Sequence, residues 1–375
     1  MPLLPPFKLE RYFARYEFKA PYLLSASDCE SLSLAELLSM ANPETTRLWD
    51  QLSLGYTDSA GHPELRAKIA GQYQLVSPEQ VLVLAPEEGI FIAMHTLLSP
   101  GDEVIAISPA YQSLHEVARS LNCPVIPWQL QEGPEGWELD IDQLAQSLTR
   151  RTRLLVVNFP HNPTGYLPQA GLQDAIIDLA RRNGLYVFSD EMYRMLEYDP
   201  ARRLPAMCDR YERGISLSGL SKSYALPGLR IGWLATQDSS LVERWTIFKD
   251  YTTICSSAPS EILGIMALQA ADQVVARNLE IIRQNLFQAS HFFERWSGLF
   301  SWIPPQAGSV AFPEWKGPGG TYEFCEAVVD QSGVMIVPGS LFDHGGQHFR
   351  IGLGRRSFPT ALQRVEGYLQ AAHLI

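Results

Sequence analysis

A chain of 375 residues, 46% hydrophobic and 19% charged, can bury a large core and is composed like a soluble globular protein of two domains. Its formal charge of −11 argues against a nucleic-acid partner, because a phosphate backbone calls for a basic face. Five scattered cysteines without a Cys-x-x-Cys pair read as reduced thiols and give no metal site, and no apolar run reaches the length of a membrane span. Met1-Pro-Leu-Leu-Pro-Pro-Phe-Lys8 lacks the basic-then-apolar form of a signal peptide, so a cytoplasmic location is expected.

Residues 1–40 read as an N-terminal arm. Val81–Leu84 is the first clear strand, followed by a helical pattern from Ile90 to Leu98 and the turn Ser99-Pro-Gly-Asp102. Glu103–Ile107 is the next strand, then a helix from Gln112 to Leu121 and a short strand at Val125-Ile126. Strands at 153–157, 185–189 and 214–218 follow, with a helix from Leu172 to Asn183 between the first two. This alternation predicts an α/β fold with a mainly parallel sheet sandwiched by helices. After about residue 240 the pattern turns helical to about 298. A helix over Glu323–Ser332, a strand at Val334–Val337 and a last helix over Pro359–Leu374 complete the chain. The expected division is an arm and lid (1–40), a large domain (41–255) and a smaller α+β domain (256–375).

Four segments carry chemistry. Ser216-Leu-Ser-Gly-Leu-Ser-Lys-Ser-Tyr-Ala-Leu-Pro-Gly-Leu-Arg-Ile-Gly-Trp233 offers a lysine, Lys222, among small and hydroxylated residues. Such a lysine can hold a carbonyl cofactor as a Schiff base once burial and nearby cations lower its pKa. Ser218, Ser221 and Arg230 suit a phosphate dianion. In Asn158-Phe-Pro-His-Asn-Pro-Thr-Gly165 the turn follows an apolar strand and presents the amide of Asn162. Leu185-Tyr-Val-Phe-Ser-Asp-Glu-Met-Tyr-Arg194 ends a buried strand on Asp190, a carboxylate that needs a cation. Gln347-His-Phe-Arg-Ile-Gly-Leu353 supplies Arg350, whose planar fork matches a carboxylate.

Together and in this order, these segments resemble the class I/II, fold-type-I aminotransferases, which use pyridoxal 5′-phosphate. The resemblance implies that Lys222 forms the Schiff base and moves the proton at Cα. It gives Asp190 the pyridine nitrogen, Asn162 and Tyr193 the phenolic oxygen, Tyr111 the ring face, and Arg350 with Asn162 the substrate carboxylate. It also implies a homodimer in which Tyr56 reaches the neighbouring phosphate; a plain turn residue is the alternative there. Small-molecule amino and keto acids are the implied substrates. One departure stands out. Where the family has Gly-Ala-x at the phosphate, this chain has Ala85-Pro86-Glu87; proline has no amide hydrogen, so binding would lean on the amides of Glu87 and Glu88.

Glu17-Phe18, Tyr22–Asp28, Asn158-Phe-Pro-His161 and Lys249–Glu261 are similar to the subgroup of capreomycidine synthase and the arginine oxidases. In that subgroup an arm covers the site and acidic residues receive a guanidinium; Glu17, Ser27 and Asp28 would do so here, unless they are solvated groups on an arm. Arginine is then expected to be preferred, with no second arginine evident for a distal carboxylate. Arg355 and Arg356 read as solvated cations. The principal expectation is an aminotransferase, and the alternative is an oxidase or cyclase that uses the same cofactor. A regulator with an aminotransferase-like effector domain is disfavoured, since no basic helix pair precedes the matching region.

Overall fold

The structure, a computed structural model, describes residues 4–134 and 136–375. After β1 (Tyr22–Leu23) come β2 (Val81–Leu84), β3 (Glu103–Ser108), β4 (Val125–Gly133), β5 (Gly136–Leu139), β6 (Thr152–Asn158), β7 (Tyr186–Asp190), β8 (Gly214–Gly219) and β9 (Gly232–Thr236). Strands β2 to β9 form one sheet in the order β2-β9-β8-β7-β6-β3-β4-β5. The run β8-β7-β6-β3-β4 is parallel, and antiparallel strands close both edges. Two of these strands, the edge strand β5 and β9, which lies between β2 and β8, are not among the strands read from sequence. Gly232-Trp-Leu-Ala-Thr236 is fully buried and continuous with the Lys222 loop, so its strand character is set by pairing rather than by any alternation.

The central strands β3, β6, β7 and β8 are mainly apolar because helices cover both faces. Trp233, Phe188, Val187 and Val156 are fully buried, and separate apolar clusters pack above and below the sheet. The long helical tract resolves into Ser239–Lys249, Ala258–Gln269 and Ala271–Arg295. The expected strand at Val334–Val337 is split at Ile336. Val334–Met335 pairs with β1, whereas Val337–Pro338 pairs with Phe349–Gly352, the strand that carries Arg350.

The arm is more regular than its sequence suggested. Lys8–Tyr16 is a helix whose Leu9, Tyr12 and Tyr16 are buried, with the Tyr12 hydroxyl donating to the Ile336 carbonyl at 3.0 Å. The spacing i, i+3, i+7 places these on one stripe. The chain then runs through β1 and lies directly on Phe349–Gly352. Gly352 N–H donates to the Leu24 carbonyl at 2.6 Å, and a Cβ at Gly352 would sit 1.7 Å from the Ala26 carbonyl oxygen. Gly354 is similar, with a Cβ position 2.5 Å from the Asp28 carbonyl oxygen. These two glycines let Ser25 to Asp28 reach the site.

Gly352→Ala is therefore expected to lift the arm from the strand and destabilise the protein by about 2–3 kcal/mol or more, the scale of a rigid overpacked contact. A urea midpoint would read the loss, and an unchanged midpoint would contradict this seating of the arm.

Candidate active site

Strands β6, β7 and β8 end side by side. Asn158 pairs in register with Asp190, and Asp190 with Leu217. Side chains leaving these ends are thus brought together at one point, the usual place for a ligand in a parallel sheet. The Asn158 side chain ties the ends: its amide donates to the Asp190 carbonyl at 2.9 Å, and its oxygen accepts from Asn162 N–H at 2.8 Å. His161 is buried between the Pro109 carbonyl, 2.9 Å from Nε2, and the Thr164 hydroxyl, 2.8 Å from Nδ1. A carbonyl can only accept, so Nε2 carries the proton. Burial lowers the His161 pKa to about 3, and the neutral ring pins the Asn162 turn to the loop bearing Tyr111.

A cavity of about 650 Å³ opens above these strand ends. Lys222 is recessed in its wall, with Nζ donating to the Ser27 hydroxyl at 2.7 Å. Burial lowers the lysine's pKa, Arg350 and Arg230 add to this, and Asp28 and Asp190 oppose it. The neutral, nucleophilic amine is thereby favoured. Asp190 is buried; one carboxylate oxygen accepts from Met192 N–H at 3.1 Å. Burial pushes its pKa up to about 6, while Met192 and Lys222 hold it down. Arg350 is 1% exposed, donating to the Asn162 oxygen at 3.1 Å and to the Ser25 carbonyl at 3.0 Å. Its buried Nε has no hydrogen-bond partner among the described residues. The Tyr193 hydroxyl donates to the Ser27 carbonyl at 3.1 Å, so Ser27 touches both the lysine and this tyrosine.

Most of the residues expected from sequence meet in this wall: Lys222, Asp190, Tyr193, Asn162, Tyr111 and Arg350, with Ser221, Arg230, Pro86 and Glu87, and with Glu17, Ser27 and Asp28 from the arm. Three others lie outside it. Ser218 is within β8, the Glu88 carboxylate is taken by the Thr252 and Thr253 hydroxyls, and Tyr56 is 91% exposed on the surface. Two expectations are corrected. Arg355 is not a solvated cation but lines the cavity, donating to both Asp28 oxygens at 2.8 and 2.9 Å. Asp28 is consequently an engaged carboxylate, and a second guanidinium is present after all. The close approach at Gly354 brings the two together, which no local sequence pattern announces. Glu10 was also missed. It enters the wall beside Phe13 and Glu17 on the pocket-facing stripe of Lys8–Tyr16, and its i, i+3, i+7 spacing could have shown it.

Residues 24–357 match the family model for aminotransferase class I and II. The chain belongs to this family. It is 31% identical over 357 residues to capreomycidine synthase from Streptomyces vinaceus, spanning 94% of this chain and 89% of that one. A pyridoxal-phosphate-dependent aminotransferase from Streptococcus suis superposes with a TM-score of 0.92 at 28% identity, covering 98% of each chain. The pyridoxal-phosphate-dependent cyclase OrfR gives a TM-score of 0.90 at 26% identity, again over 98% of each. The fold is therefore fold type I, and the cofactor is pyridoxal 5′-phosphate. The chain's own residues fit that cofactor: a recessed lysine, a buried carboxylate without an ion-pair partner among the described residues, and a helix (Pro86–Leu97) whose first turn has no side-chain cap.

Asp190 carries a burial penalty in the apoprotein. Its folded pKa of about 6 lies above the unfolded value of 3.8, so folding disfavours the charged form and apoprotein stability falls as pH rises between the two. Asp190→Asn should raise the apoprotein's melting temperature at pH 7 to 8, and the gain should shrink toward pH 4. A pH-independent difference would contradict the assigned burial penalty.

Proposed function

We propose that the chain is an aminotransferase whose side-chain subsite takes a cation, with arginine the first candidate. In this reading Lys222 binds the cofactor, Ser221, Arg230 and the first turn of Pro86–Leu97 take its phosphate, and Asp190 takes the ring nitrogen. Asn162 and Tyr193 face the phenolic oxygen, and Tyr111 covers the ring. Bound pyridoxal phosphate supplies a carbonyl for the amine and a ring that accepts the electron pair left at Cα. Arg350 and Asn162 orient the substrate carboxylate through paired hydrogen bonds, which the unpartnered Nε of Arg350 favours. Lys222 Nζ then takes the Cα proton and returns it, acting as general base and acid. Asp190 keeps the ring nitrogen protonated, and the arm helix excludes water.

The charge of the wall supports the cationic side chain. Asp28 and Arg355 neutralise each other, whereas Glu10 and Glu17 face the cavity without an ion-pair partner among the described residues. Burial raises the Glu17 pKa, and Glu10 and Asp28 raise it further, so a bound cation would relieve that repulsion. The likeness to capreomycidine synthase and to OrfR favours a second reading, in which the same site leads to cyclisation or oxidation instead of amino transfer. We also propose a homodimer. Leu54, Tyr56, Tyr251 and Ile254 are 83%, 91%, 88% and 52% exposed, on two loops tied by the Ser59 hydroxyl to the Ile254 carbonyl. An apolar patch of this kind suits a second copy, with Tyr56 contributed to its site.

Borohydride treatment should trap the cofactor on the wild type and not on Lys222→Ala, as read by mass spectrometry. In a panel of amino acids, arginine should be processed faster than aspartate or aromatic donors. Glu17→Gln should raise its KM about ten-fold with little change in kcat, since an uncompensated cation loses about that much. A preference for aspartate would sink the cationic subsite and leave the family assignment standing. Varying keto acid and oxygen separately distinguishes transfer from oxidation.

A further inference from the structure

The first turn of the helix Pro86–Leu97 faces the cavity with two features that oppose each other. Its uncapped amides suit an anion, yet Pro86, at the first helical position, has no N–H to give. The next residue, Glu87, puts a carboxyl group into the same wall. Four groups surround it: the Ser113 hydroxyl, Glu10 from the arm helix, Asp190 from the end of β7, and Arg230 from the loop after β8. Tyr111 and Lys222 share the wall, while Glu88 is turned away to Thr252 and Thr253. Arg230 acts on this carboxyl through its charge alone, its guanidinium donating to the Pro227 carbonyl at 3.1 Å. Burial comes first in raising the Glu87 pKa to about 7; the Ser113 hydroxyl and Arg230 hold it down, while Glu10 and Asp190 raise it further.

We propose that Glu87, as a carboxylic acid, donates a hydrogen bond to the phosphate of pyridoxal phosphate and so replaces the amide donor that Pro86 lacks. The proposal rests on the phosphate lying beside Ser221 and Arg230, as assigned above. Glu87 keeps its proton throughout; no covalent bond forms or breaks. A neighbouring dianion disfavours a second negative charge, so binding the phosphate and holding the proton reinforce each other. An O–H donor to an anionic oxygen is a strong, charge-assisted hydrogen bond. Once the carboxyl ionises, the donor is replaced by a like charge, and affinity falls.

Pyridoxamine 5′-phosphate is the appropriate probe, because it cannot condense with Lys222. Its dissociation constant is measured on the full-length apoprotein by fluorescence titration between pH 6 and 9. For the wild type the constant should rise by about ten-fold or more from pH 7 to pH 9, as the acid form is lost. Glu87→Gln keeps an N–H donor at every pH, so it should flatten that rise and bind more tightly than the wild type at pH 9. Pyridoxamine, without the phosphate, should be indifferent to the substitution. Equal pH slopes in the two proteins would overturn the proposal. So would a Glu87→Gln protein with wild-type affinity for the probe at all pH values and a raised KM for arginine, which would make Glu87 a substrate ligand. If neither protein binds the probe at any pH, the cofactor placement fails, and the proposal with it.

Discussion

Three parallel strands ending on the same rungs are the constraint from which the site follows. With Asn158 level with Asp190 and Asp190 level with Leu217, the loops after β6, β7 and β8 leave the sheet at one place. A one-residue slip in any of them would turn the functional side chain to the opposite face, into apolar packing. The register is held by largely buried strands and by Asn158, which bonds to both the Asp190 backbone and the Asn162 backbone. Lys222 and Asn162 depend on this alignment because both lie in loops, where backbone alone would leave them loosely placed.

Charge is the second organising force. Lys222, Arg350 and Arg230 share one cavity with Asp190, Asp28, Glu87, Glu17 and Glu10. Few of these meet as ion pairs within the chain. Asp190 and Arg350 instead remain buried with capacity to spare, one with a raised pKa and the other with an orphaned Nε. Such groups cost stability in an apoprotein, and they gain on meeting an opposite charge. The arrangement trades stability for binding, in the way functional sites commonly do.

The arm links the two. Its helix packs through Leu9, Tyr12 and Tyr16, its following segment lies on the Arg350 strand, and Ser27 bonds to Lys222. Ser27, Tyr193 and Ser309 form one hydrogen-bonded group, with both hydroxyls donating to the Ser27 carbonyl. The arm thereby helps to set where the lysine stands, in addition to covering the cavity.

The parallel core was legible in the chain, because apolar runs and turn residues act over a few positions, and Lys222, Asp190, Asn162 and Arg350 each sit in a motif with its own local chemistry. Strands β5 and β9 were not: β5 is a short return on its neighbour β4, and β9, set between β8 and β2, is a buried run whose strand character comes from pairing on both sides. The acidic residues of the arm were legible only as charges. That Asp28 is engaged while Glu10 and Glu17 face the cavity follows from the seating of the arm. Arg355 shows the limit most clearly. Beside Arg356 in the sequence it is one of two adjacent cations; in the fold, Gly352 and Gly354 let the arm approach so closely that Arg355 meets Asp28 across more than three hundred residues. Local pattern determined which chemistry the chain carries. Backbone contact between distant segments decided which charges remain free to use it.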